Sequence, residues 1–114
     1  MPEPTLSAEV ITAAAEADVV HRGPRLLPGI ELPLGPLGYG MWRFAGTSAP
    51  EAAAKVHAAL DAGMTLLDTA DIYGVDTPGG FGSAEVLLGE VLAAQPALRS
   101  RMVLATKGGI RPGV

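Results

Sequence analysis

Three side chains in this sequence have the types and spacing for proton-transfer chemistry. Asp68 ends the apolar run Leu66-Leu67, Tyr73 stands five residues later, and Lys107 follows Thr106 at the end of a second apolar run, Met102–Ala105. A free tyrosine has a pKa of about 10 and is a poor acid at neutral pH. An ammonium beside it stabilises the phenolate and makes it a better one. A carboxylate beside the ammonium keeps that group charged and oriented. Together such a trio can donate a proton to a developing alkoxide. The three residues fall at or just past the ends of apolar runs, where parallel α/β folds keep their chemistry. Neighbouring strands lie about 4.8 Å apart, so side chains at adjacent strand ends are within reach of each other.

Each residue also has a plainer reading. An Asp–Lys pair at strand ends can be structural, and the Tyr73 ring can cap a core. Asp71 suits a turn, Arg43 a solvated loop, and Glu85 the positive end of a helix. Gly79-Gly80-Phe81-Gly82 could cradle a phosphate, but no Lys-Ser or Lys-Thr follows it, so a flexible loop is expected. A dinucleotide fingerprint from Gly38 fails, because Arg43 stands where the third glycine belongs. The combined spacing of Asp68, Tyr73 and Lys107 carries the catalytic reading.

The elements that must position them follow from local pattern. Ser48 and Glu51 make a capping box, Pro50 sits in the first turn and Gly63 is a stop, so a helix is expected over Pro50–Ala62. Its Ala53, Val56 and Leu60 form a stripe for a sheet. Met64–Thr69 reads as a parallel strand covered on both faces. Val75–Gly82 holds four glycine or proline residues in eight and reads as a flexible loop. A second helix is expected over Ser83–Ala94, burying Ala84, Leu88, Val91 and Leu92, with Pro96 as its stop. Met102–Thr106 is the next strand. Upstream, Leu37–Trp42 reads as a strand entering a loop, and Pro28-Gly29 as the turn of a hairpin. Residues 1–24 read as an N-terminal extension, with an Ala-rich helix over Ser7–Val20. The alternation of strand and helix implies a parallel sheet with right-handed crossovers.

Composition narrows the function classes. The chain has 114 residues, 48% of them apolar, so it can bury a core. A net charge of −4 argues against nucleic acid as the main partner. No apolar run reaches the roughly 18 residues of a membrane span. With no cysteine and two histidines, a metal site is not expected. A cytoplasmic location is the expectation.

At this point the residues resemble the aldo-keto reductase family. The resemblance rests on G-M-T-L-L-D-T-A-D-I-Y-G at 63–74, on Glu85 with Leu88-Gly89, and on A-T-K at 105–107. L-G-Y-G-M-W at 37–42 and the preceding hairpin support it, so it covers about residues 25–111. It implies an α/β fold, the N-terminal part of a (β/α)8 TIM barrel with about three of eight strands, its base closed by the hairpin. It implies an NADP-dependent oxidoreductase that reduces an aldehyde or ketone, with NADPH, or NADH, as hydride donor. By motif Asp68, Tyr73 and Lys107 look like three members of its catalytic tetrad. Met41, Trp42 and Asp68 stand where the family lines the nicotinamide. The fourth member, a histidine ending the fourth strand, has no counterpart: His57 lies on the first helix and His21 precedes the barrel. A barrel takes about 250 residues. The chain is therefore expected to be a part of a longer enzyme, inactive alone. A non-enzymatic nucleotide-binding relative and a product without function are the alternatives.

Overall fold

A computed structural model describes residues 23–113, and the helix expected over 7–20 falls outside them. The described elements are β1 (Gly38–Gly40), α1 (Ala49–Asp61), β2 (Leu66–Asp68), α2 (Ser83–Ala94), a 3-10 helix (Pro96–Arg101) and β3 (Val103–Ala105). The strands form one parallel sheet in the order β1-β2-β3. The helices are the crossovers between neighbouring strands, as parallel pairing requires.

The strands are shorter than the apolar runs suggested, but their pairing reaches further. Val103 N–H donates to Thr65 O at 2.8 Å, Met41 N–H to Asp68 O at 3.0 Å, and Thr69 N–H to Ala105 O at 2.9 Å. The 3-10 helix before β3 was not expected beyond a stop at Pro96. It buries Leu98 and brings Met102 into the core.

Helix α1 starts and stops on the expected signals. Ser48, in extended backbone, accepts from Glu51 N–H at 3.3 Å. At the other end Gly63 has φ +86°, its N–H donates to Leu60 O at 3.0 Å, and Met64 N–H donates to Ala59 O at 2.9 Å. These two bonds are the Schellman pair, and the left-handed residue between them favours glycine. Helix α2 buries Ala84, Leu87, Leu88 and Val91, whereas Leu92 is only partly buried. Leu87, three residues after Ala84 and four before Val91, lies in the middle of the buried stripe. Leu92 lies at its margin, beside Leu104 in a shallow groove.

One core lies between the helices and the sheet, built on Met41, Phe44, Val56, Leu60, Leu67, Leu88, Val91 and Met102. Strand alternation sends Leu67 into it and Leu66 and Asp68 to the opposite face. That face is half-exposed among the described residues, so β2 is covered on one side and not on both.

The hairpin forms as a single bridge rather than two full strands. Arg25 and Leu34 exchange both backbone hydrogen bonds, at 2.8 and 2.7 Å, across a turn in which Ile30 N–H donates to Leu27 O. Thr65 fixes it to the start of β2: its hydroxyl donates to Pro33 O at 2.9 Å and accepts from Gly35 N–H at 3.2 Å. Gly35 lies so close to the turn after α1 that an added Cβ would overlap the Gly63 carbonyl oxygen. Gly35→Ala is therefore expected to destabilise the fold by about 1–3 kcal/mol, the usual cost of overpacking. Denaturant midpoints measure the loss, and amide exchange should quicken first at Arg25 and Leu34. An unchanged midpoint with unchanged protection would mean that this contact yields freely.

Candidate active site

The parallel register pairs Asp68 with Gly40 on one side and Ala105 on the other. Asp68 thus projects from the carboxyl end of the central strand. Two residues past Ala105, the backbone of Lys107 is still held in the ladder, because Asp71 N–H donates to Lys107 O at 3.1 Å. Lys107 Nζ then donates to Asp68 Oδ1 at 2.9 Å and to Thr69 O at 2.8 Å. Both side chains of this ion pair are about half exposed, at 50% for Lys107 and 47% for Asp68.

Tyr73 stands beneath the ammonium, which lies 4.7 Å from the ring centroid. Trp42 meets the same ring edge-on, with centroids 5.2 Å apart and planes at 87°. The phenol is thus held between an indole and an ammonium. Its backbone is held as well. Tyr73 N–H donates to Ala70 O at 3.2 Å, and Tyr73 O accepts from Ala84 N–H in the first turn of α2 at 3.2 Å. Trp42, Asp71, Ile72, Tyr73, Lys107 and Ile110 line a mostly apolar cavity of about 260 Å³.

The electrostatics follow the geometry. Asp68 first, as a hydrogen-bond partner, and the neighbouring Tyr73 hydroxyl second, hold the Lys107 ammonium above its ordinary pKa. The other tyrosine, Tyr39, lies on β1 against Phe44, and burial raises its pKa. It is not part of the cavity lining.

The structure brings Asp68, Tyr73, Lys107 and Trp42 together. It places Met41 elsewhere: its side chain is fully buried in the core, while its N–H pairs with Asp68 O. His57 bonds Gln95 Oε1 at 2.7 Å on the helical layer, and His21 lies outside the described residues. Residues 75–82, read as a flexible loop, are folded as consecutive turns. Thr77 N–H donates to Gly74 O, Gly80 N–H to Thr77 O, and Gly82 N–H to Asp71 O at 2.7 Å. The Thr77 and Ser83 hydroxyls both donate to Gly74 O, giving the turns side-chain anchors that a count of glycines cannot show.

Several contacts of the site escaped the sequence. Asp71 is a hub: its N–H holds Lys107, its C=O holds Gly82, and its carboxylate packs against Gly108. Thr69 is 2% exposed, and its carbonyl receives the Lys107 ammonium. Glu85 accepts from the Thr106 hydroxyl at 3.1 Å. The signal for the last contact was present, since strand alternation puts Thr106 on the helix side with Leu104, facing the first turn of the second helix.

Three parallel strands alternating with helices, with polar groups gathered past their carboxyl ends, define a partial α/β barrel. The aldo/keto reductase family model matches residues 36–114, and the chain belongs to that family. It is similar to the 6-dehydroglucose reductase of Novosphingobium aromaticivorans, 67% identical over 79 residues that cover 68% of this chain and 26% of that protein. The 6-dehydroglucose reductase of Agrobacterium fabrum is 43% identical over 83 residues, covering 70% of this chain and 26% of that one. Among solved structures, the holo form of an aldo-keto reductase from Bacillus halodurans is 30% identical with a TM-score of 0.56, covering 82% of this chain and 29% of that one. A Pseudomonas aeruginosa chain classed with the aldo-keto reductases is 31% identical with a TM-score of 0.60, over 83% of this chain and 35% of that one. The chain thus spans about a quarter of the length of the curated relatives it matches.

The Asp68–Lys107 pair has a definite pH signature. A lysine pKa raised on folding contributes stability that is complete below the unfolded value of about 10.4, and that is lost as pH rises through the higher folded value. At half exposure the pair contributes at most about 1 kcal/mol. Asp68→Asn should flatten the loss above pH ~10 and bring Lys107 back towards the ordinary lysine range. Competitive acetylation followed by mass spectrometry measures this, with Lys55, the chain's other lysine, as internal reference. An unchanged Lys107-to-Lys55 ratio in Asp68→Asn would remove Asp68 as the main cause.

Proposed function

We propose that this chain is the N-terminal part of an NADP-dependent aldo-keto reductase that reduces an aldehyde or ketone to an alcohol. In this reading residues 25–114 are the barrel portion, and residues 1–24 an extension ahead of it. The observation that carries the reading is the Lys107 ammonium, bonded to Asp68 and lying over the Tyr73 ring at one wall of the cavity. Two similar proteins carry the name 6-dehydroglucose reductase, so a sugar aldehyde is the proposed substrate. A small polar metabolite and a soluble cofactor suit a cytoplasmic location, and no helix among the described residues is long and apolar enough to cross a membrane.

The residues present fit the nicotinamide end of the cofactor. The cavity is mostly apolar, walled by the Trp42 and Tyr73 rings and Ile110, with a phenol and an ammonium at one side. Trp42 and Asp68 would hold that end, and Met41, in the core behind, anchors the loop that carries Trp42. When bound, the nicotinamide supplies a hydride to the carbonyl carbon. Tyr73 gives its proton to the oxygen as negative charge develops there. Lys107 stabilises the charge left on the phenolic oxygen, and Asp68 keeps the ammonium in place.

Two measurements test this reading. In the intact enzyme containing these residues, Tyr73→Phe should lower kcat for 6-dehydroglucose by about 10²–10⁴, the usual worth of positioned proton transfer. Cofactor affinity should stay within a few fold, because the loss lies in the transition state. Near-normal turnover would leave Tyr73 only its packing role. The 114-residue chain alone should bind NADPH no tighter than about millimolar, or roughly −4 kcal/mol, because the adenosine end finds no seat on it. Micromolar affinity by calorimetry would contradict that and point to a barrel assembled from several copies.

A further inference from the structure

We propose, resting on the reading above, that Glu85 is a positioning residue for Lys107, acting through the Thr106 hydroxyl. Glu85 lies in the first turn of α2, and its Oε2 accepts from Thr106 Oγ1 at 3.1 Å. Thr106 directly precedes Lys107 in the chain. Successive residues of an extended segment point to opposite faces. The bond on the outer face therefore sets the orientation of the residue that reaches the inner face. Lys107 is held from the other side by Asp71 N–H at its carbonyl, and by Asp68 and the Thr69 carbonyl at its ammonium.

The clasp joins two elements with no other polar side-chain tie at this end among the described residues. Helix α2 begins at Gly82, which supplies no side-chain cap, so the first-turn carboxylate of Glu85 is free to reach across to β3. The acid also complements the helix dipole where it stands. The same turn holds Tyr73, whose carbonyl accepts from Ala84 N–H. One helix turn thus grips both segments, that of Tyr73 through backbone and that of Lys107 through Glu85. Around the ammonium stand Asp68 from β2 and the Tyr73 hydroxyl from the following loop, and both act on its protonation.

Competitive acetylation of the intact enzyme containing these residues tests the idea without needing turnover, so its failure is separable from failure of the reductase reading. Acetic anhydride reacts with the neutral amine, and Lys55 again serves as the reference. Thr106→Val keeps the side-chain shape but removes the donor, and Glu85→Leu removes the acceptor. Both should raise the Lys107-to-Lys55 ratio at pH 9 by about three- to tenfold, since one pKa unit is tenfold in neutral amine. The pH midpoint of Lys107 should fall with it. Thr106→Ser and Glu85→Gln keep a donor and an acceptor, and should stay within about twofold of the parent. A ratio unchanged in both disruptive variants overturns the proposal. So does equal acceleration of both lysines, which would make the clasp a stability contact only.

Discussion

The parallel register of β2 against its two neighbours is the constraint on which the rest of this structure depends. It sets Asp68 level with Gly40 and Ala105, and so brings Lys107, two residues further on, over the end of the central strand. A one-residue slip of β2 against its two neighbours would turn Asp68 towards the helices and Leu67 away from the core. Leu67 is fully buried, so the packing of one residue on the helix side fixes the direction of its neighbour on the other. Burial enforces the placement of the polar groups: the apolar residue cannot leave the core without carrying the carboxylate out of reach of the ammonium.

What surrounds the sheet serves that register from both ends. At the amino end Thr65 joins the hairpin to β2 by two hydrogen bonds, and Gly35 lets the chain pass against the turn that closes α1. At the carboxyl end the turns between β2 and α2 are pinned to Asp71 and Gly74, which leaves Tyr73 on a short segment fixed at its two sides. The Asp61–Arg101 ion pair and the His57–Gln95 bond tie the helical layer together well outside the cavity. Trp42 comes from the loop after β1 and meets the Tyr73 ring, so all three strand ends contribute to one wall.

Much of this was legible in the sequence, for identifiable reasons. The limits of α1 and α2 followed from Ser48, Gly63 and Pro96, because caps and stops are local chemistry. Parallel pairing followed from the alternation of strand and helix. The meeting of Asp68, Tyr73 and Lys107 was expected from strand-end placement, and the structure brings them together; their catalytic roles remain proposals. The rest was not legible because it depends on non-local contact. The turns of 75–82 depend on anchors at Asp71, Gly74 and Ser83, and a local count of glycines reads such a segment as loose. Met41 and Trp42 are adjacent in sequence yet part company, one into the core and one to the cavity, and only the course of the loop decides which. Leu87 replaced Leu92 in the buried stripe because helix rotation is set by what the helix packs on.

The ion pair at the centre of the site is too exposed to hold itself. At about half exposure an Asp–Lys pair contributes at most about 1 kcal/mol, comparable to the rotamer entropy lost by an immobilised lysine. Coulomb attraction alone would leave Lys107 sampling several positions. What selects one position is the combination of neutral partners: the Thr69 carbonyl at 2.8 Å, the Asp71 N–H on its backbone, and the face of the Tyr73 ring. Two of these three are backbone groups, which are already ordered by the ladder and cost no further side-chain entropy to recruit. The ammonium is therefore placed by the same hydrogen-bonded frame that sets the strand register. Asp68 adds a charged hydrogen bond that holds the ammonium at the position this backbone frame favours.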